Sequence, residues 1–418
     1  MGNYSGYKSQ VGFEFEAVAG QKAAALKDFC LNIKLPIGLK IERNMIERQV
    51  VRGSGSAMKK LLGLVKVSGA LNSELYTRQT LYWYRLLMGG LPATTAPVDV
   101  SLLAAASITA TMSLTTQPTV ASLIKLTVAG ATAWGTVTIT GTDGLGLTIS
   151  EAITFTANQT KIATKYFKTV NASGIVTSGF TGGTLAVAGN KNTSTHEFIL
   201  GEGIPTVTIE DSKGGMPWTY WGLGMTSAEI KVPAVEGVAE ISANLIGRNG
   251  EPKSITGGTT PSLLNVLADE PFMSWNMRFS IDGAVVGVHG VTLSIDKQLR
   301  DNTAEIKDGC QEALPRHVGD NQRKISGSFN VQFADASYYN KFISGTPASI
   351  TIYGTNQMAA GPLESVLIEL PEIVFEGTDP EVGDMGEIWI DVPFTAFSSL
   401  GNDDELKITV VSTQANCN

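Results

Sequence analysis

Charge, cysteine and histidine are all scarce in this chain. Only 17% of its 418 residues are charged, well below the usual quarter. The 31 basic residues are outnumbered by 39 acidic ones, for a formal charge of −8, so there is no surplus of cations to drive nucleic-acid binding by counterion release. Such a chain can surround a nucleic acid without gripping it. The three cysteines, Cys30, Cys310 and Cys417, are far apart and share no metal-ligand spacing, so they read as free thiols of a reducing compartment. The three histidines, His196, His289 and His317, are scattered and read as packed or surface residues. No run approaches the roughly 18 apolar residues of a membrane helix, and the opening "MGNYSGYKSQ" lacks the apolar centre of a signal peptide. "MGNYSG" fits a myristoylation pattern too short and common to carry weight. No G-x-S-x-G, H-E-x-x-H, P-loop or Rossmann pattern occurs, which argues against an enzyme.

Glycine (45 residues) and threonine are plentiful, favouring strands with many turns. A hydrophobic share of 43% is normal for a globular chain, and the length calls for two to four domains.

The most informative feature is an echo. "KVSGALN" at 66–72 returns as "KISGSFN" at 324–330. In the first copy Val65, Val67 and Leu71 alternate with Lys66, Ser68, Asn72 and Glu74. In the second, Ile325, Phe329, Val331 and Phe333 alternate with Lys324, Ser326, Asn330 and Gln332. Alternation with period two marks a strand buried on one face. Gly69 and Gly327 share a place on the apolar face, where a close backbone neighbour is expected. At the same offset Thr77 meets Asp335 as expected N-caps. Helical stripes follow (Leu81, Tyr84, Met88; Tyr339, Phe342, Ile343), ended by Gly89 and Gly345. Upstream, Ile41-Glu42-Arg43-Asn44 matches Ile295-Asp296-Lys297-Gln298, and downstream 228–247 resembles 371–397 more loosely. Each copy predicts strand, loop, strand, capped helix and later strands.

Residues 98–195 interrupt the first copy. Its short runs "LIKLTVAG", "GTVTITGTDG", "LTISEAITF" and "GTLAVAG" are separated by glycine turns and predict a small Ig-like sandwich without the cysteine pair. The second copy has no counterpart, so the sandwich is expected as an insertion in a surface loop. The fold expected is therefore mainly β: two tandem sandwich or half-barrel modules, each with one flanking helix, plus the inserted domain. The divisions are 1–97 and 196–258 for the first module, 98–195 for the insertion and 259–418 for the second module. "GGMPWTYWGLG" at 214–224 reads as a turn with core aromatics, and "GNDDE" at 401–405 as a solvated turn lacking calcium-loop spacing. The sequons at Asn158, Asn171 and Asn192 carry no meaning without a secretory signal.

The element order, with "SGALN" or "SGSFN" leading into a helix, resembles the tail tube (major tail) proteins of long-tailed bacteriophages. So does "TVTIEDSKGGMPWTYWGLGMTSAEIKV" followed by "GVAEISANLIGRN". The resemblance covers most of 10–250 outside the insertion, and 263–400. It implies a non-enzymatic virion protein without cofactors, catalytic residues or metal. Such a protein is assembled in the bacterial host cytoplasm and resident in the tail, with no membrane association. It implies homotrimers whose two modules give pseudo-hexameric rings, and stacking of those rings around a channel for double-stranded DNA. The remaining partners are the terminator, tape measure and baseplate proteins.

An acidic lining would keep a duplex centred, and the candidate lumen-facing acids are Glu42, Asp296, Glu229, Glu240, Glu372 and Glu387. The polar segments 43–62 and 298–323 resemble inter-ring loops, with Arg43, Glu47, Arg48, Arg52, Arg300, Asp301, Glu305 and Lys307 as candidate contacts. Rival readings are another ring of the tail or injection machine (baseplate hub, terminator or inner tube), and a carbohydrate-binding surface protein.

Overall fold

The computed structural model describes residues 9–27, 29–46, 60–144, 146–190, 192–234, 236–262, 264–266, 269–301, 315–317, 322–332, 337–357, 363–377, 389–398 and 404–415. The chain is mainly β, with two α-helices, α1 (Thr80–Met88) and α2 (Ser337–Ser344).

Eight strands lie side by side in one antiparallel run. Lys40–Ile46 pairs with Leu61–Glu74, which pairs with Glu240–Gly247, and that strand pairs with the C-terminal half of Met216–Val232. Val288–Asp296 follows, then Lys324–Gln332, Trp389–Ala396 and the end of Leu363–Phe375. The first four strands and the last four run in the same order, each group taking its first, second, fourth and third strand in chain order. Registers repeat as well. Lys40, Ile41 and Glu42 face Ser68, Val67 and Lys66; Ser294, Ile295 and Asp296 face Ser326, Ile325 and Lys324.

The repeated glycines lie where backbones approach. A Cβ on Gly69 would sit 2.3 Å from the Gly38 carbonyl oxygen, and one on Gly327 would sit 2.4 Å from that of Thr292. No larger residue fits either place, which accounts for the glycine in both copies of the echo.

One face of the run is apolar. Val67, Leu71, Ile230, Ile241, Leu293, Ile325, Phe329, Val392 and Phe394 are buried there in a single core. The helices and a second layer of strands cover it. Val11–Phe15 pairs with Val207–Lys213, which forms a hairpin with Met216–Val232 through Gly214 and Gly215, both at positive φ. The "GGMPWTYWGLG" stretch is thus a hairpin turn, with Tyr220 in the core. The second group has the matching arrangement of Met277–Ile281, Ala348–Gln357 and Leu363–Phe375.

Residues 100–190 form two further four-stranded sheets. One joins Thr148–Thr154, Thr136–Thr142, Thr169–Ser178 and Thr111–Met112; the other joins Thr160–Phe167, Ser122–Ala133, Thr181–Asn190 and Val100–Ser107. They enclose their own core of Ile124, Leu126, Val137, Ile139, Phe155, Phe167 and Leu185. The strands on either side of this segment, Ala93–Thr95 and Ser194–Ile199, pair with each other, and the latter also pairs with Lys407–Ser412 near the C-terminus. Chain returning from residues 100–190 therefore enters the sheet of the second group.

The helices depart from expectation in two ways. Thr77 does not cap α1: the N-cap is Gln79, which makes no side-chain capping bond. The Thr77 hydroxyl instead donates to the carboxylates of Glu364 and of Asp269 (3.3 Å), since a buried hydroxyl gains more from a charged acceptor. Asp335 lies outside the described residues. The expected stripe on α2 holds only at Phe342, which packs against the core; Tyr339 and Ile343 are 43% and 64% exposed. The ring of Tyr338, one position earlier, packs on Phe329 and Phe375 instead. Gly89 and Gly345 do end their helices with left-handed φ of 83° and 60°.

Candidate assembly interface

Strand register places the residues opposite the core on a common polar face. One transverse row reads Asn72, Ser242, Glu229, Ser294, Ser326 and Thr395. The next reads Glu74, Glu240, Lys231, Thr292, Ser328 and Pro393. Glu42, Asp296, Glu229 and Glu240 all fall on this face, and Glu372 continues it, one pleat on from Val374, which faces Thr395. Glu387 lies outside the described residues.

The acids do not stand alone. Glu42 is flanked by Lys40 Nζ at 3.3 Å and Lys66 Nζ at 3.7 Å. Lys34 Nζ reaches Glu240 at 2.5 Å and Glu74 at 3.6 Å, and Glu240, the strongest influence on that ammonium, raises its pKa. Asp296 accepts hydrogen bonds from the backbone N–H and the side-chain amide of Gln298, both at 2.8 Å. The face is therefore rich in hydroxyls and amides, with several of its acids neutralised by lysines, rather than uniformly acidic. The hydroxyl and amide row was readable only as the polar half of an alternation; its continuity across strands needs the register.

The run has an open edge at each end. Among the described residues, Lys40–Ile46 pairs with Leu61–Glu74 alone. At the far end, Val374 and Phe375 pair, among the described residues, with Thr395 and Phe394 on one side only. Between these ends the two groups join: Ser227, Glu229 and Val232 face Asp296, Ser294 and Val291.

A buried lysine reinforces that junction. Lys297, 2% exposed, donates its backbone N–H to the Thr226 carbonyl at 2.9 Å. Its ammonium donates to the carbonyls of Leu86, in the last turn of α1, at 3.0 Å and of Gly203 at 3.4 Å. Burial pushes its pKa down to about 8, with the neighbouring Arg323 charge acting in the same direction. A cation at a helix C-terminus meets unsatisfied carbonyls and the negative end of the helix dipole. Sequence reading passed over this contact, although Lys297 stands where Arg43 does in the first copy.

Of the candidate loop contacts, Arg43 is exposed and its Nε donates to the Gly63 carbonyl at 3.2 Å. Arg300 and Asp301 are in a short strand paired with Pro315–His317. Glu47, Arg48, Arg52, Glu305 and Lys307 lie outside the described residues. His196 is a packed residue between the Thr94 hydroxyl (3.0 Å) and the Gln414 carbonyl (2.8 Å), and His289 stacks on Trp389. Among the described residues no group of three or more His, Cys, Asp or Glu could hold a metal ion, and no helix is long and apolar enough to cross a membrane.

These features define a mainly β protein with one buried and one polar sheet face and an open strand edge at each end. The family model described as phage tail tube protein matches residues 6–396. The chain belongs to the phage tail tube protein family, and is a structural component of the tail tube in the virion tail. No curated protein sequence matches it.

Proposed function

We infer that the chain is two tandem tube modules, that three chains close into a pseudo-hexameric ring, and that stacked rings form the conduit through which DNA leaves the virion. The observation that carries this reading is the junction of Ser227–Val232 with Val291–Asp296. It joins two four-strand groups of equal order and register, and leaves at the two ends the same kinds of edge that it joins in the middle. Head-to-tail repetition of that junction between chains is a heterologous contact, and such contacts make rings when the rotation closes.

The polar face lines the channel in this reading, because helices and core occupy the other side of the sheet. Hydroxyls, amides and paired charges offer a duplex neither a cationic grip nor an apolar surface, so transit meets little drag. Residues 100–190 are an Ig-like domain on the outside of the tube. In this reading the polar segments 43–62 and 298–323 supply the contacts to the adjacent ring, and other tail proteins meet the two ends of the tube.

Electron microscopy of the purified full-length chain tests the proposal. Hollow tubes whose end views show six similar lobes, three of them carrying an extra mass, are expected. Monomers under all salt and concentration conditions would overturn it.

A further inference from the structure

Helix α1 buries eight of its residues, whereas α2 buries none among the described residues. The two helices follow equivalent strands, end on equivalent left-handed glycines, and press an equivalent tyrosine (Tyr82 or Tyr338) into the core. Inside the chain, Lys297 of the second group reaches the last turn of α1, and the Gly201 N–H of the first module donates to the Met88 carbonyl at 2.8 Å. Among the described residues no third strand group does the same for α2. Its Ile343 is 64% exposed, while Leu87, two residues before the terminal glycine in α1 as Ile343 is in α2, is fully buried.

The last turn of α2 carries Lys341, which is paired with Asp282, and the counterpart of Lys297 lies elsewhere in the sequence. Glu42 faces Lys66 as Asp296 faces Lys324, so the next residue, Arg43, holds the place of Lys297. Arg43 lies on the open Lys40–Ile46 edge and is exposed. We propose that Arg43 of one copy docks on the C-terminal turn of α2 in the next copy, its guanidinium donating to the carbonyls of that turn as Lys297 does to α1. Arrival of the second copy then covers Tyr339 and Ile343. The occupant of the α2 surface is thus a second copy of this chain. The guanidinium suits the site because it keeps its charge when desolvated and presents several donors to the cluster of carbonyls at a helix end. The contact rests on the ring reading above and assigns it a side-chain lock.

Cross-linking tests it in full-length protein carrying Cys310→Ser and Cys417→Ser, with the buried Cys30 retained. One preparation adds Arg43→Cys and a second adds Ser344→Cys; a short bismaleimide is applied to each alone and to the mixture under assembly conditions. A 43–344 cross-linked peptide in the mixture is the expected result. Separately, Arg43→Glu should lower the sedimentable fraction at least tenfold without altering the monomer's circular dichroism, and Arg43→Lys should restore most of it. Absence of the cross-linked peptide from assembled protein, or wild-type assembly by Arg43→Glu, would overturn the lock and leave the ring reading standing. Failure of the unsubstituted chain to assemble at all would remove both.

Discussion

Glu364 accepts a hydrogen bond from the hydroxyl of Thr77, a residue 287 positions earlier in the chain. The same carboxylate, 6% exposed, accepts from the backbone N–H and hydroxyl of Thr413, both at 2.9 Å, and lies 3.8 Å from Arg78 Nε. It ties the entry of α1 to the C-terminal end of the chain. Glu364→Ala strands several buried donors at once and should lower stability by about 3 kcal/mol. Glu364→Gln keeps one acceptor oxygen and should cost less. Urea unfolding of both variants measures this, and a loss for the alanine variant no larger than an ordinary surface change would contradict it.

Asp211 is fully buried, and among the described residues neither carboxylate oxygen has a hydrogen-bond partner; Lys213 Nζ is 3.6 Å away. Burial raises its pKa from 3.8 to about 6, against a smaller opposing pull from Lys213. The folded state holds this proton more tightly than the unfolded one. The residue's penalty is therefore absent below about pH 4, grows as pH rises, and is complete above about pH 6, at up to about 3 kcal/mol. Asp211→Asn should stabilise the protein at pH 7.5 and have a smaller effect at pH 4.5. An equal effect at both pH values would contradict the assignment.

Gly69→Ala and Gly327→Ala place a methyl against backbone oxygens at 2.3 and 2.4 Å. Each should cost more than about 2 kcal/mol, because a rigid strand pair cannot part without losing ladder hydrogen bonds. Gly90→Ala, with nothing within 4 Å, is the neutral control. Thermal unfolding of the three variants separates the outcomes.

The sandwich of residues 100–190 has its own core, and its flanking strands pair with each other, Thr95 with Thr195 and Thr94 with His196. Replacing 98–192 by a short turn should leave a chain that folds and still assembles, and the excised segment should unfold cooperatively by itself. Differential scanning calorimetry of both pieces checks this; an unfolded remainder would show that the segment supports the main sheet.

The sequence made the strand pairs of the echo legible because period-two alternation and an obligatory glycine are local signals. It also placed the terminal glycines of both helices. It missed the cap of α1 because the fate of the Thr77 hydroxyl depends on Glu364, far away in sequence. On α2 Phe342 packs on the core as expected, but Tyr338 takes the place assigned to Tyr339, since an eight-residue helix with three aromatics fits more than one facing. Five of the proposed acids share a face by simple parity. Their lysine partners escaped notice because Lys34 meets Glu240 across 206 positions, a relation fixed only by strand order.

Thr95 and Thr195 are next-door residues of a ladder, whatever is spliced between them. A tight turn, a sandwich or some other compact unit would present the sheet with the same two hydrogen-bonded ends. Recombination at this seam can therefore exchange the inserted unit while the main sheet keeps its geometry.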